Sequence, residues 1–83
     1  FSYEEQFARF SEKQKSLLAA IANEDPDGVR ITSEDFISKY GLGSTSSVQT
    51  AGNALKKNNV ITDNGTKRQI NDLIFRDWLR KNC

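Results

Sequence analysis

Eighty-three residues make one domain with room for a single small core. Hydrophobic residues at 36% and charged residues at 28% suit a folded, water-exposed chain, not a disordered one, and the longest apolar run, Leu17–Ala22, is far below the roughly 18 residues a membrane helix needs. One cysteine, Cys83, and no histidine exclude an internal disulfide, a zinc set of the usual kind and an ordinary Ser-His or Cys-His catalytic pair.

The net charge of +1 is unevenly spread. Residues 1–43 carry five cations (Arg9, Lys13, Lys15, Arg30, Lys39) against eight acids, a net −3. Residues 44–71 carry Lys56, Lys57, Lys67 and Arg68 against Asp63 alone, a net +3. A basic middle segment of this kind attracts a polyanion, and it also fits an ordinary solvated surface.

Ser2 followed three residues later by Glu5 is a capping-box pattern. Tyr3, Phe7 and Phe10 then recur at helical spacing, which predicts a short helix over about 3–9. Residues 1–10 read as a helix or linker belonging to a preceding domain, and 11–83 as the domain proper. Ser11 and Gln14 repeat the capping pattern ahead of the stripe Leu17, Leu18, Ile21 and Ala22, predicting a helix over 12–23. The run Asn23-Glu24-Asp25-Pro26-Asp27-Gly28 ends it.

Val29-Arg30-Ile31 alternates and predicts a short edge strand. Thr32 or Ser33 caps a third helix with Phe36, Ile37 and Tyr40 inward, closed by Gly41. Leu42-Gly43-Ser44 is a short glycine turn between two helices, a helix-turn-helix pattern. It is not a phosphate loop, because it follows a helix and no lysine comes next. Ser44 caps a fourth helix over 45–58 whose buried face is Val48, Ala51, Gly52 and Leu55.

Val60-Ile61-Thr62 reads as a strand, Asp63-Asn64-Gly65 as a tight turn, and Thr66–Ile70 as the returning strand. Asn71 or Asp72 caps a last helix with Leu73, Ile74, Phe75, Trp78 and Leu79 as its apolar side. Phe75 and Trp78 read as core, or as packing for a domain outside this sequence. The order of elements predicts a mainly α fold with a small β-hairpin, a winged helix-turn-helix.

The chemistry available is recognition. Ser46, Thr50, Asn53 and Lys57 lie opposite the Val48/Leu55 face, flanked by Gln49 and Lys56. Amides and hydroxyls pair with base edges, and lysines with phosphate or guanine. In a helix-turn-helix the second helix enters the major groove with such side chains. Ser44 at the helix start, and Lys67 and Arg68 on the hairpin, complete the candidate set for double-stranded DNA. Any exposed helix is polar, so the same face also fits simple solvation. The carboxylates Glu4-Glu5, Asp25/Asp27 and Glu34-Asp35 sit at helix starts or in a loop, where acids serve the helix dipole or solvent.

Three stretches carry a family resemblance: Phe10–Ala22; Tyr40–Ala51 followed by Ala54-Leu55; and Ile70–Arg80. Together, over about residues 10–81, they resemble the winged-helix C-terminal domain of prokaryotic AAA-type P-loop ATPases. That domain closes with D-P-L-F-x-x-W-L; Asp72-Leu73-Ile74-Phe75 keeps the acid and the Phe and lacks the Pro. The resemblance implies a cytoplasmic parent that binds ATP and Mg through motifs absent from this chain, so no cofactor residue is assigned here. With no Met and Phe1 first, the chain is expected to be an excised piece. The resemblance implies a DNA-contacting or a regulatory appendage. The competing expectation is a protein-interaction domain that docks on the ATPase core or a partner through the acidic first half and the Tyr3/Phe7/Phe10 stripe. A free-standing repressor lacks a visible dimerisation element, and an isolated enzyme lacks an activated nucleophile or metal set.

Overall fold

The computed structural model describes residues 3–24 and 28–82 of the chain. The Ser2 cap, the Asp25-Pro26-Asp27 loop and Cys83 lie outside the described residues, as does the side chain of Asn64. Five helices and one hairpin follow in order: α1 (Tyr3–Ala8), α2 (Glu12–Ala22), α3 (Glu34–Tyr40), α4 (Thr45–Lys57), β1 (Ile61–Asn64), β2 (Lys67–Ile70) and α5 (Leu73–Asn82).

Helix α2 is the central element. Ser11 Oγ accepts from the Gln14 amide at 3.2 Å, and Gln14 Oε1 accepts from the Ser11 amide at 2.9 Å. This reciprocal cap is expected to be worth about 1 kcal/mol. Leu17, Leu18, Ala20, Ile21 and Ala22 are buried, and α4 and α5 pack against them. The far end of α2 is held by α5: Arg80 Nε donates to the Ala22 carbonyl and Nη2 to the Glu24 carbonyl at 3.1 Å. Two orphan carbonyls at a helix end are thereby satisfied by a cation, which also suits the helix dipole.

Ser33 occupies the N-cap of α3, but its side chain makes no capping bond. Phe36 and Ile37 are buried, while Tyr40 is half-buried against Phe36 with ring centroids 5.3 Å apart. Gly41, at φ 60°, ends the helix. The Leu42 amide reaches back to the Ile37 carbonyl (3.0 Å) and the Gly41 amide to Ser38 (3.3 Å), a Schellman closure. Leu42 is buried as a result, and this anchors the turn from α3 into α4.

The expected edge strand over 29–31 shrinks to one bridge. Val29 exchanges both backbone bonds with Arg68, at 2.9 and 2.8 Å. A new turn, Ser33 amide to Arg30 carbonyl at 3.1 Å, begins at once and leaves no length for a ladder.

The hairpin pairs Ile61 with Ile70, Thr62 with Gln69, Asp63 with Arg68 and Asn64 with Lys67. The loop is therefore Gly65-Thr66, one residue later than the expected Asp63-Asn64-Gly65 turn. Gly65 (φ 67°) has positive φ and Thr66 does not, as a II′ loop requires of its first residue. Register explains the shift. Ile61 and Ile70 are both buried, and a one-residue slip would turn one of them outward.

Asp72 caps α5, its Oδ1 accepting from the Ile74 amide at 2.9 Å and the Phe75 amide at 3.3 Å. Phe75 and Leu79 are buried and Trp78 is half-buried. Leu73 and Ile74, expected on the apolar side, are instead 59% and 68% exposed. At about 100° per residue, the face set by Phe75 and Leu79 leaves Ile74 to one side and Leu73 nearly opposite.

Helix α1 lies on α5. Tyr3 stacks on Phe75 (centroids 5.2 Å), Phe7 meets Trp78 (5.7 Å), and the Tyr3 hydroxyl donates to Asp72 Oδ2 at 2.8 Å. Tyr3, Phe7 and Phe10 all pack against the common core. None of the described helices is long and apolar enough to cross a membrane.

Candidate nucleic-acid interface

Helix α4 forms for reasons legible in its residues. Ser44 Oγ accepts from the Ser47 amide at 3.2 Å and caps the start. Val48, Ala51, Gly52 and Leu55, spaced by three and four, face the core. Asn59 closes the helix at φ 61°, with its amide on Lys56 (3.0 Å) and the Val60 amide on Leu55 (3.0 Å), a second Schellman closure. The opposite face of α4 is exposed along its length: Ser46, Gln49, Thr50, Asn53, Lys56 and Lys57 all reach solvent.

The helix-turn-helix turn has a support the sequence reading missed. Lys13, on α2, donates from Nζ to the Leu42 carbonyl at 2.6 Å. It bridges the first helix of the core to the turn that aims α4. Its position one turn before Leu17 was the available signal, since a lysine beside a buried stripe extends its head to the nearest carbonyl.

The nine candidate residues fall into two groups. Ser46, Gln49, Thr50, Lys57 and Lys67 are exposed, and their side chains make no hydrogen bond or ion pair with another described residue. Ser44, Asn53, Lys56 and Arg68 have partners within the protein. Ser44 is occupied as the cap and also donates to Ser47 Oγ at 3.1 Å. Lys56 Nζ lies 2.5 Å from Asp63 Oδ2. Arg68 Nε lies 3.2 Å from Asp63 Oδ1, and its Nη2 donates to Asn53 Oδ1 at 3.1 Å.

Asp63 thus binds two of the four cations of the basic segment. Its hydrogen bond to Lys56 holds its carboxyl below the usual carboxylate range; the Arg68 charge adds to this, and partial desolvation opposes it. The Arg68 side chain is only 19% exposed, and Nη1 is buried against Gly52, where a methyl group would sit 2.8 Å from it. Strand alternation accounts for the placement. Ile61 and Asp63 share one face of β1, Arg68 and Ile70 share the matching face of β2, and that face looks toward the helices. Lys67 and Gln69 point the other way.

Among the described residues no cluster of His, Cys, Asp or Glu is disposed to hold a metal ion. The arrangement offers hydroxyls, an amide and two ammoniums that have no partner among the described residues, on an open surface. A family model described as "Probable winged helix domain" matches residues 1–81. The chain belongs to this family. As a winged-helix domain it has α3 and α4 as its helix-turn-helix and the β1–β2 hairpin as its wing, and domains of this type are typically non-catalytic. The match includes α1, which packs on the last helix of the winged-helix domain. No curated protein and no solved structure shows significant similarity to the chain.

Proposed function

We propose that this winged-helix domain binds double-stranded DNA, with the exposed face of α4 in the major groove and the wing beside the adjacent phosphates. One observation carries the reading: α4 presents Ser46, Gln49, Thr50 and Lys57 side by side, exposed and without a partner among the described residues, behind a capped and anchored turn. Protein hydrogen bonds have not consumed the donors that base edges and phosphates need. Lys67 adds a cation on the outer face of the wing. Binding of a mixed-sequence duplex should weaken steeply as salt rises, because each phosphate contact releases counterions. The double substitution Lys57→Glu/Lys67→Glu should abolish it while thermal stability is kept. Undiminished binding by that variant would contradict the reading.

A second reading, docking on a protein, draws on Leu73 and Ile74, two large apolar side chains exposed together at the start of α5. The Tyr3/Phe7/Phe10 stripe first considered for that role packs against the core. Loss of a partner on Ile74→Asp, with DNA affinity unchanged, would favour docking. The resemblance to AAA-type ATPase C-terminal domains supports a parent that holds ATP and Mg elsewhere in a prokaryotic cytoplasm. A reading frame without a Walker motif upstream of Phe1 would remove it.

A further inference from the structure

Three of the candidate contacts, Asn53, Lys56 and Arg68, lie on the seam between wing and helix, where each is held by a partner within the protein. We propose that Arg68 is a positioning residue: it braces the wing against α4 through Asn53 and Asp63, and leaves the phosphate contacts of this region to Lys67 and Lys57. The inference rests on the DNA reading above and assigns roles within it.

Arg68 is tied down at every level. Its main chain makes the bridge to Val29, at 2.8 and 2.9 Å, and so joins the wing to the segment leading into α3. Its guanidinium reaches across to α4. Nη2 meets Asn53, Nε meets Asp63, and Nη1 is buried over Gly52. Asp63 in turn accepts Lys56, so two residues of the wing hold two residues of α4. A phosphate seeking Arg68 must displace Asp63 and draw out a guanidinium seated against a helix backbone. A phosphate seeking Lys67 displaces only water. On the α4 wheel Gly52, Lys56 and Asn53 span the side that meets the wing, whereas Lys57 and Thr50 lie beyond Asn53, farther from it. The brace thus fixes the angle between wing and helix, the quantity that decides whether both can meet one duplex together.

The test uses the full chain and a mixed-sequence DNA duplex two helical turns long, with the dissociation constant measured across a salt series. Lys67→Ala and Lys57→Ala should each flatten the plot of log affinity against log salt by about 0.9, the loss of one phosphate contact. Arg68→Gln should leave that slope unchanged and weaken binding several-fold at every salt concentration. Asn53→Ala, an exposed change that keeps the core intact, should weaken binding in the same way. The double variant should be no worse than the poorer single, because both remove one brace. A flattened slope for Arg68→Gln, or losses that multiply in the double variant, would overturn the proposal in favour of direct contact. A lowered melting temperature for Arg68→Gln with unchanged affinity would overturn it in favour of a purely structural role. Failure of the DNA reading looks different: the unsubstituted chain would not bind the duplex at low salt, and the proposal would go with it.

Discussion

Arg68 and Gly28 form a tight pair of residues. The Arg68 carbonyl lies 2.9 Å from where a Cβ on Gly28 would be, and Gly28 has φ 104°, a conformation that side chains rarely adopt. Gly28→Ala should therefore cost about 1–3 kcal/mol, read as a lowered midpoint in denaturant, by straining the main chain and pushing the wing off the Val29 bridge. An unchanged midpoint would mean that the bridge holds nothing. The brace itself was partly legible in the sequence. Ile61-x-Asp63 and Arg68-x-Ile70 place an opposite-charge pair on the same strand faces as two apolar residues. That pattern predicts an inward ion pair once the register is known. Register was the missing fact: with the turn set at Asp63-Asn64-Gly65, Arg68 in the returning strand has no assigned partner and reads as a DNA contact beside Lys67. Asn53 had the same fate, since helix periodicity places it among exposed residues but does not show which strand lies within reach.

Helix α5 gives a clear contrast between positions. Leu79→Ala should cost about 2–5 kcal/mol because Leu79 is wholly buried against α2. Leu73→Ser and Ile74→Ser should each change stability by no more than about 0.5 kcal/mol, since both lie outside the core. Apolar character alone put all of them on one face. Phe75 and Leu79 show that a last helix flanked by α2 and β2 needs only a narrow stripe. By contrast, the buried face of α4 was fully legible, because small residues at spacings of three and four admit one orientation. The contact of α1 with α5 also carries a pH signature. The Tyr3 hydroxyl, with the Phe75 and Ile74 amides assisting, holds Asp72 below the usual carboxylate range, and the same bond raises Tyr3. Asp72 therefore contributes fully above the ordinary carboxylate range, and its contribution is lost as pH falls through its lowered value. Tyr3 contributes fully below the ordinary tyrosine value and is lost as pH rises through its raised one. Trp78, the sole tryptophan, sits 6.5 Å from Tyr3 and reports both. Its fluorescence should change at both extremes of pH. Tyr3→Phe should remove the alkaline change, and Asp72→Asn the acid one; a change that persists in either variant would assign it elsewhere.

At the scale of the molecule, the charge is divided along the chain: residues 1–43 carry a net −3 and residues 44–71 a net +3. The acidic first half supplies the α1–α3 base, while the excess cations belong to α4 and the wing. Sequence alone made that division visible, together with the order of elements that proved to be a winged-helix domain. It could not show that Asp63 would pair with two of the four cations in the basic segment, leaving Lys57 and Lys67 without a partner among the described residues. An electrostatic consequence follows for the whole domain. Asp63→Asn removes the one acid of this segment but also releases Arg68 and Lys56 from the brace, so duplex binding should weaken as it does for Arg68→Gln; raised affinity would indicate that Asp63 matters more as a repelling charge than as a support. Whether α4 and the outer wing face the DNA can be read by titrating a duplex into isotope-labelled protein and following amide chemical shifts. A DNA-facing α4 and outer wing require shifts concentrated at Ser46, Gln49, Thr50, Lys57 and Lys67, with α1 and α5 unmoved. Shifts confined to α1 and α5, or none at all at low salt, would contradict it.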